Sequence, residues 1–434
     1  MLTRLTRLGS FALATWMIAG LSAGSARAQD APKPADAAAA PAQTPPAPTP
    51  AQAPAAPAAP AAPAAPAPGS VSYSGLLDFY LGINMRAPSP AAKLPTIGGG
   101  PIGVDNVGRS FDINDRVPSF SLGEFNINRV EGKGIPFGIT ATLTFGDTAR
   151  IVHATEPGGT SSWQTLQQLY VTKTITKFKH DFTFDFGKFV TPFGYEVIES
   201  VNNDEYSRSF GFQYAIPLYH AGLRVNVPVN SKVSLYGAVV NGWNNVADDN
   251  DAKSGIVQVT WKPDAKFTGL FGYMGGSEGT GAYGVPVNLG YIDTNLFEFQ
   301  PTYQINSNFK VAGDLVYGQG AGSVNSTASF TGGHRSGYWT SMAAYTRYQI
   351  TPRLAVAGRI EQFEDIGGLR TGSALYYTKL REVTLTLEYQ FFRSHLVTRL
   401  EYRHDHANQA FFLAGNGATT PDQDTLYASG VIKF

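Results

Sequence analysis

The stretch Glu382-Val383-Thr384-Leu385-Thr386-Leu387-Glu388-Tyr389-Gln390-Phe391 decides the fold. Val383, Leu385, Leu387, Tyr389 and Phe391 alternate with Glu382, Thr384, Thr386, Glu388 and Gln390, the period of a β-strand whose two faces meet different surroundings. One face is wholly apolar and fit for lipid; the other is polar or charged. The split recurs at Leu77, Phe79, Leu81 and Ile83. It recurs again at Ile139, Ala141, Leu143 and Phe145 against Thr140, Thr142 and Thr144, and at Leu354, Val356 and Ile360 against Arg353, Arg359 and Glu361.

Working outward, such segments start near Val71, Ser119, Pro136, Trp163, His180, Pro217, Ser231, Lys253, Lys266, Ile292, Ser307, Gly337, Pro352, Lys379, Ser394 and Asp424. Short links at 132–135, 229–230, 263–265, 305–306, 350–351 and 392–393 alternate with long ones, and Lys173-Thr174-Ile175-Thr176-Lys177 is taken as a further short turn with gatekeeping lysines. An even-numbered meander with short turns at one end and long loops at the other is the pattern of a transmembrane antiparallel up-and-down β-barrel, here of about 16 strands. Closure leaves no unpaired edge for hydrocarbon to penalise. A soluble sandwich or propeller fits the strand lengths and one-sided loops poorly. A plugged iron-complex transporter would need a folded plug ahead of a larger barrel.

The chain begins with Arg4 and Arg7, an apolar core at 11–19 and Ala26-Arg27-Ala28, so residues 1–28 read as a secretory signal peptide. Residues 29–70 are dominated by Ala and Pro and cannot bury a core, which makes them a disordered periplasmic segment; residues 71–434 form the barrel. As polyproline II at about 3.1 Å per residue, the segment would reach on the order of 120 Å. It serves as a spacer or touches the cell wall. There is no cysteine, so neither disulfides nor a lipid-anchored cysteine contribute. Acids and bases number 33 each, which gives a nucleic-acid partner no electrostatic footprint. The expected partners are outer-membrane lipid and lipopolysaccharide; association of three barrels stays open.

The polar strand faces carry charges of both signs, among them Asp78, Glu124, Asp185, Arg224, Glu298, Lys310, Asp314, Arg359, Glu382, Glu388, Arg399, Glu401 and Arg403. Ions are costly in a dry core, so water is expected to reach them through a lumen wide enough for small hydrophilic solutes. The third long link, 191–216, supplies Glu196, Glu199, Asp204, Glu205 and Arg208. Folded inward, these would set a pore constriction, facing the basic lumen residues Arg224, Arg359, Arg399 and Arg403 across a transverse field.

That link opens with Gly187-Lys188-Phe189-Val190-Thr191-Pro192-Phe193-Gly194-Tyr195-Glu196. Tyr206-Ser207-Arg208-Ser209, Pro217-Leu218-Tyr219-His220-Ala221-Gly222 and Asn241-Gly242-Trp243-Asn244 follow. The set resembles the OmpL-like family of outer-membrane β-barrel porins. The resemblance implies a channel in the bacterial outer membrane, with no site residues to carry over. The last strand ends on Phe434, with Leu426, Ala428, Gly430 and Ile432 on the same face. It resembles the terminal signal of outer-membrane barrels and implies recognition by the barrel-assembly machinery; Ile432 stands where an aromatic is common.

Other chemistry finds little support. His404-Asp405-His406 would put its histidines outward and Asp405 inward, a poor arrangement for a shared metal or a catalytic relay. His153, His180, His220, His334 and His395 are scattered and no Gly-x-Ser-x-Gly elbow occurs, so an outer-membrane hydrolase is the weaker alternative to a non-enzymatic channel. Asp248-Asp249-Asn250-Asp251 lacks calcium-loop spacing and reads as a solvated loop, a calcium bridge to lipopolysaccharide being the sharper alternative. No cofactor or metal is expected. A non-conducting barrel tethering outer membrane to cell wall is the remaining alternative.

Overall fold

A computed structural model describes residues 67–88, 94–95, 103–154, 156, 165–248, 250–279, 290–324, 333–371, 377–415 and 417–434. The signal-peptide reading and nearly all of the Ala/Pro segment lie outside them.

The strands follow in chain order. They begin with β1 Val71–Asn84, the two-residue pair β2 Leu94–Pro95 and β3 Gly103–Val104, β4 Pro118–Arg129 and β5 Gly138–Phe145. After helix α1 Asp147–Val152 come β6 Leu166–Lys177, β7 His180–Val190, β8 Tyr219–Pro228, β9 Val233–Val240 and β10 Ser254–Trp261. Then come β11 Phe267–Gly279, β12 Gly290–Asn306, β13 Phe309–Val324, β14 Gly333–Thr351 and β15 Leu354–Ile366. The chain closes with β16 Tyr377–Phe391, β17 Leu396–Ala407, the pair β18 Phe412–Leu413 and β19 Thr419–Thr420, and β20 Asp422–Lys433.

Sixteen of these form one closed antiparallel barrel in which every strand pairs with its sequence neighbours and β1 pairs with β20. At that seam Leu77 faces Ile432 and Ile83 faces Leu426. Gly75 and Phe434 exchange backbone hydrogen bonds of 2.9 and 3.1 Å, so the terminal residue takes part in closure. Every spanning strand thus has its backbone groups paired, the condition for crossing hydrocarbon.

The side-chain alternation sorts as the sequence requires. On β16 Val383, Leu385, Leu387 and Phe391 are exposed on the outer face, while Glu382, Thr384, Thr386 and Glu388 are buried on the inner one. Exposed aromatics gather at the short-turn end: Tyr73, Phe137, Phe178, Trp261, Tyr348 and Phe434 form an interfacial girdle. The short turns share one device. Asn230, Asp264 and Asn306 each use the side-chain oxygen to accept the N–H groups two and three residues on, at 2.8–3.0 Å. This local bonding favours a tight turn over continued strand.

One expected turn is corrected. Residues 173–177 belong to β6, where Lys177 pairs with His180; Phe178 and Lys179, both at positive φ, make the turn. The β-branched Thr174, Ile175 and Thr176 favour extended backbone, and the short polar run had hidden that.

Candidate functional site

The third long loop, 191–218, lies against the inner wall. Its apolar residues Phe193, Ile198, Phe210, Phe212, Tyr214 and Ile216 are buried in a cluster with Trp243, Trp339 and Phe363 of the wall and neighbouring loops and with Val107 and Phe111 of the first loop. Gly194, at φ +97°, turns the chain inward at the loop's start, in a backbone conformation that L side chains rarely adopt. A 3₁₀ turn at Ser200–Asn202 and a π-helical turn at Gly211–Ala215 compact the rest.

A loop taken out of water needs partners for its backbone, and here the wall supplies them with charged side chains. Wall carboxylates accept N–H groups. Glu298 takes Gly194 at 2.7 Å, Asp314 takes Tyr195 at 3.0 Å, Glu401 takes Tyr206 and Ser207 at 2.5 and 3.0 Å, and Glu361 takes Phe210 and Gly211 at 2.6 and 2.5 Å. Wall cations donate to carbonyls. Arg359 reaches Ser207 at 2.7 Å, Arg399 reaches Ser200 and Asn203 at 2.6 and 2.8 Å, and Arg403 reaches Arg208 at 2.5 Å. Gln258 and Trp339 add bonds of 3.0 Å to Pro192 and Ala215, and Ser200 donates to Asp78 at 2.5 Å. Strands β1, β10, β12, β13, β14, β15 and β17 thereby all hold the loop.

The loop residues singled out from sequence meet different surroundings. Glu196 touches Arg359 at 2.6 Å and accepts Ser209 N–H at 2.8 Å. Asp204 accepts from Tyr195 at 2.7 Å and Lys310 at 2.9 Å. Arg208 staples the loop internally, donating to the carbonyls of Val197, Ile198 and Tyr206 and lying 4.6 Å from the Phe111 ring. Glu205 is fully buried, and neither of its carboxylate oxygens has a hydrogen-bond partner. Burial pushes its carboxyl well above the usual range; Arg359 opposes the shift, while Asp204, Glu196 and Glu401 add to it. Glu199 alone of the five is half-buried rather than buried.

On the basic side, Arg359 also pairs with Glu382 at 2.5 Å, Arg399 with Glu388 at 2.8 Å and Arg403 with Asp405 at 2.7 Å. Arg224 pairs with Asp185 at 2.8 Å and stacks 4.4 Å from the Phe189 ring. The expectation of loop acids facing basic wall residues across water is therefore corrected. Glu196 and Arg359 are in direct contact, and the lumen charges of β15, β16 and β17 are mostly covered rather than hydrated. Pairing and backbone hydrogen bonds satisfy ions that would be prohibitive if left alone.

Sequence reasoning missed the first long loop, which enters the same space. Arg109 bridges Asp112 and Asp405, each at 2.5 Å, and Gln213 of the third loop donates to Gly108 at 2.7 Å. The odd run of inward-facing acids on neighbouring strands was the available signal that the wall holds a backbone. It also missed a buried cluster of the second loop, where Glu156 pairs with His153 and Lys188, both at 2.6 Å. His404 and His406 point outward and pair with Asp424 and Asp422, while Asp405 faces inward. Asp248 pairs with Lys253, Asp249 lies outside the described residues, and no group of three or more His, Cys, Asp or Glu side chains that could hold a metal ion occurs among the described residues.

The family model described as "Putative beta-barrel porin-2, OmpL-like" matches residues 70–434. The chain belongs to this family. Solved structures agree with the OmpL-like barrel in fold. The outer membrane channel DcaP of Acinetobacter baumannii matches with a TM-score of 0.53 at 10% identity, over 85% of this chain and 98% of that one. The anion-selective porin of Comamonas acidovorans matches at 0.52 and 10%, over 84% and 100%. The outer membrane protein OmpT of Vibrio cholerae, in a trimer form, matches at 0.51 and 13%, over 85% and 100%. No curated protein matches the chain. At such identities the structural likeness speaks for the fold alone, and family membership makes this an outer-membrane β-barrel of the porin type.

Proposed function

We propose that this OmpL-like barrel passes small hydrophilic solutes or ions by diffusion, without chemistry, and that the third loop is its filter. The observation that carries the reading is a closed barrel, apolar outside and charged inside, whose interior is entered by a loop fastened to strands β1, β10, β12 to β15 and β17. The space left for water borders strands β4 to β9, where Asn126, Gln168, Tyr170, Thr172, Arg224 and Tyr236 stay half-buried in contrast to the covered wall of β15 to β17.

That covered wall favours a second reading, a barrel too filled to conduct that tethers envelope layers through the Ala/Pro segment. Single-channel recording of the refolded protein in a planar bilayer separates the two. Stable conductance steps, with a reversal potential across a salt gradient, support the channel. A folded, heat-modifiable barrel that never conducts supports the tether, and deleting residues 29–66 should then reduce co-sedimentation with peptidoglycan. Export through residues 1–28, assembly through the Phe434 terminus, lipopolysaccharide contacts and a homotrimer belong to the same proposal.

A further inference from the structure

The short-turn end of the barrel carries a row of basic side chains on its inner face. Lys262 N–H donates to the Lys232 carbonyl at 2.7 Å, so these two residues sit side by side where β9 begins and β10 ends. Past the turn at 263–265, Gln304 N–H donates to the Lys266 carbonyl at 2.8 Å, Gln304 is opposite Lys310, and Lys310 is opposite Arg347. Arg353 follows, its carbonyl accepting Gln390 N–H at 2.9 Å. Cross-strand neighbours share a face, and Lys310 and Arg347 reach Asp204 of the third loop at 2.9 and 4.0 Å, so their row points into the lumen. Lys262 shares the parity of Gln258, which also reaches the loop, and Arg353 that of inward Arg359; the two-residue period puts both on the inner face.

Lys232, Lys262, Lys266 and Arg353 are exposed, and none of them forms an ion pair among the described residues, whereas Lys310 pairs with Asp204 and Arg347 with Glu388. The acids of this rim are engaged elsewhere. Asp264 accepts the N–H groups of Lys266 and Phe267, Asp181 accepts the Thr176 hydroxyl at 2.6 Å, Glu131 pairs with Lys173 at 3.1 Å, and the Phe434 carboxylate follows Lys433 in the chain. Positive charge is therefore in excess at this mouth. The open arc of the lumen offers little to oppose it. Asn126, Gln168, Thr172, Thr174, Thr183 and Asn226 are neutral, Arg224 is compensated by Asp185, and Glu199 is the one loop acid left half-buried. A mouth of one sign leading to a largely neutral wall concentrates counter-ions and fixes which sign enters.

We propose that Lys232, Lys262, Lys266 and Arg353, continued by Lys310 and Arg347, form an anion-attracting funnel at the short-turn mouth, and that the cargo it selects is small anions bearing carboxylate or phosphate groups. Lysines act as point charges without a planar fork, so the funnel sorts by charge rather than by shape. Lysines at turn ends also meet lipid headgroups, but that role falls to outward ones: Lys177, on the face of exposed Val171 and Ile175, lies 5.1 Å over the Phe178 ring. The proposal deepens the channel reading and rests on it for transport, while attraction of anions to the mouth does not require conduction.

The test compares wild type with K232Q/K262Q/K266Q and K232E/K262E/K266E, which neutralise and reverse the inward row, and with K177Q/K179Q, which neutralises the outward pair; each is first shown to be folded by heat-modifiable migration. In bilayers under a potassium chloride gradient, the wild-type reversal potential should report a severalfold preference for chloride. That preference should shrink as salt rises from about 0.1 to about 1 M, where the screening length falls from about 10 to about 3 Å. It should be lost in the neutral triple variant, inverted in the reversed one and kept in K177Q/K179Q. In micelles, chlorine-35 line broadening should fall in the triple variants and persist in K177Q/K179Q. A wild type that prefers potassium, or triple variants with wild-type ratios, would overturn the funnel while leaving the channel standing. Equal losses in K177Q/K179Q would assign the charge to the lipid-facing rim and also overturn it. A barrel that never conducts would overturn the channel reading; broadening lost only in the triple variants would then still support the anion-attracting mouth, and broadening unmoved in them would overturn that as well.

Discussion

Replacing Arg359 with Met tests whether the wall charges hold the third loop. The guanidinium donates to Glu196, Glu382 and the Ser207 carbonyl at 2.6, 2.5 and 2.7 Å, in surroundings where all three side chains are at most 1% exposed. Removing one partner of a buried ion pair costs about 3–5 kcal/mol. The lower end applies, because Glu382 keeps Thr384 and a 3.7 Å contact to Arg403, and Glu196 keeps Ser209. About 3 kcal/mol is roughly two decades in the ratio of held to released loop. Single-channel recordings of R359M should show a larger conductance and more current noise than wild type, and the loop should become open to trypsin at Arg208. R359K should fall between the two, since an ammonium keeps the charge but not the planar fork. Conductance, noise and protease resistance unchanged in R359M would refute the clamp.

The Glu205 carboxyl is held above its ordinary value, so the folded barrel binds that proton more tightly than the unfolded chain does. Its contribution to stability is complete below a pH near 4.5 and falls as pH rises toward the folded-state value. Melting followed across pH should show E205Q gaining on wild type as pH rises, and parallel curves would remove Glu205 from the account. Asp365 accepts the N–H groups of Leu369, Arg370 and Thr371 at 2.8–3.0 Å, and hydrogen bonds to charged groups are worth about 1.5–3 kcal/mol each. D365A should therefore raise amide exchange at 369–371 selectively. Deleting Phe434 removes two backbone bonds at the closing seam, so the heat-modifiable fraction recovered from outer membranes should drop; an undiminished yield would show that closure and assembly do without it.

Membership of the barrel class was legible in any one strand. Alternation along Glu382 to Phe391 is a local property, and lipid outside with polar groups inside follows from the two-residue period whatever the neighbours are. Strand number and the alternation of short and long links needed only repetition of that pattern. The turn after Lys177 was misplaced because polar composition and strand propensity disagree there, and cross-strand pairing decided the matter.

The candidate site was only half legible. Sequence supplied the cast, in Glu196, Glu199, Arg359, Arg399 and Arg403, since charged residues on an inward face are visible from the period alone. Their roles depend on who faces whom, and that was decided by closure. Ser207 and Arg359 are 152 residues apart in the chain, and Tyr206 and Glu401 are 195 apart. No local pattern encodes such pairs. They arise when the barrel curls β1 round to β20 and the third loop, driven in by its own aromatics, needs partners for backbone groups that water no longer reaches. The sequence by itself determined which side chains enter the lumen. Tertiary structure alone decided which of them neutralise one another against the loop, because those partners meet only once the barrel has closed.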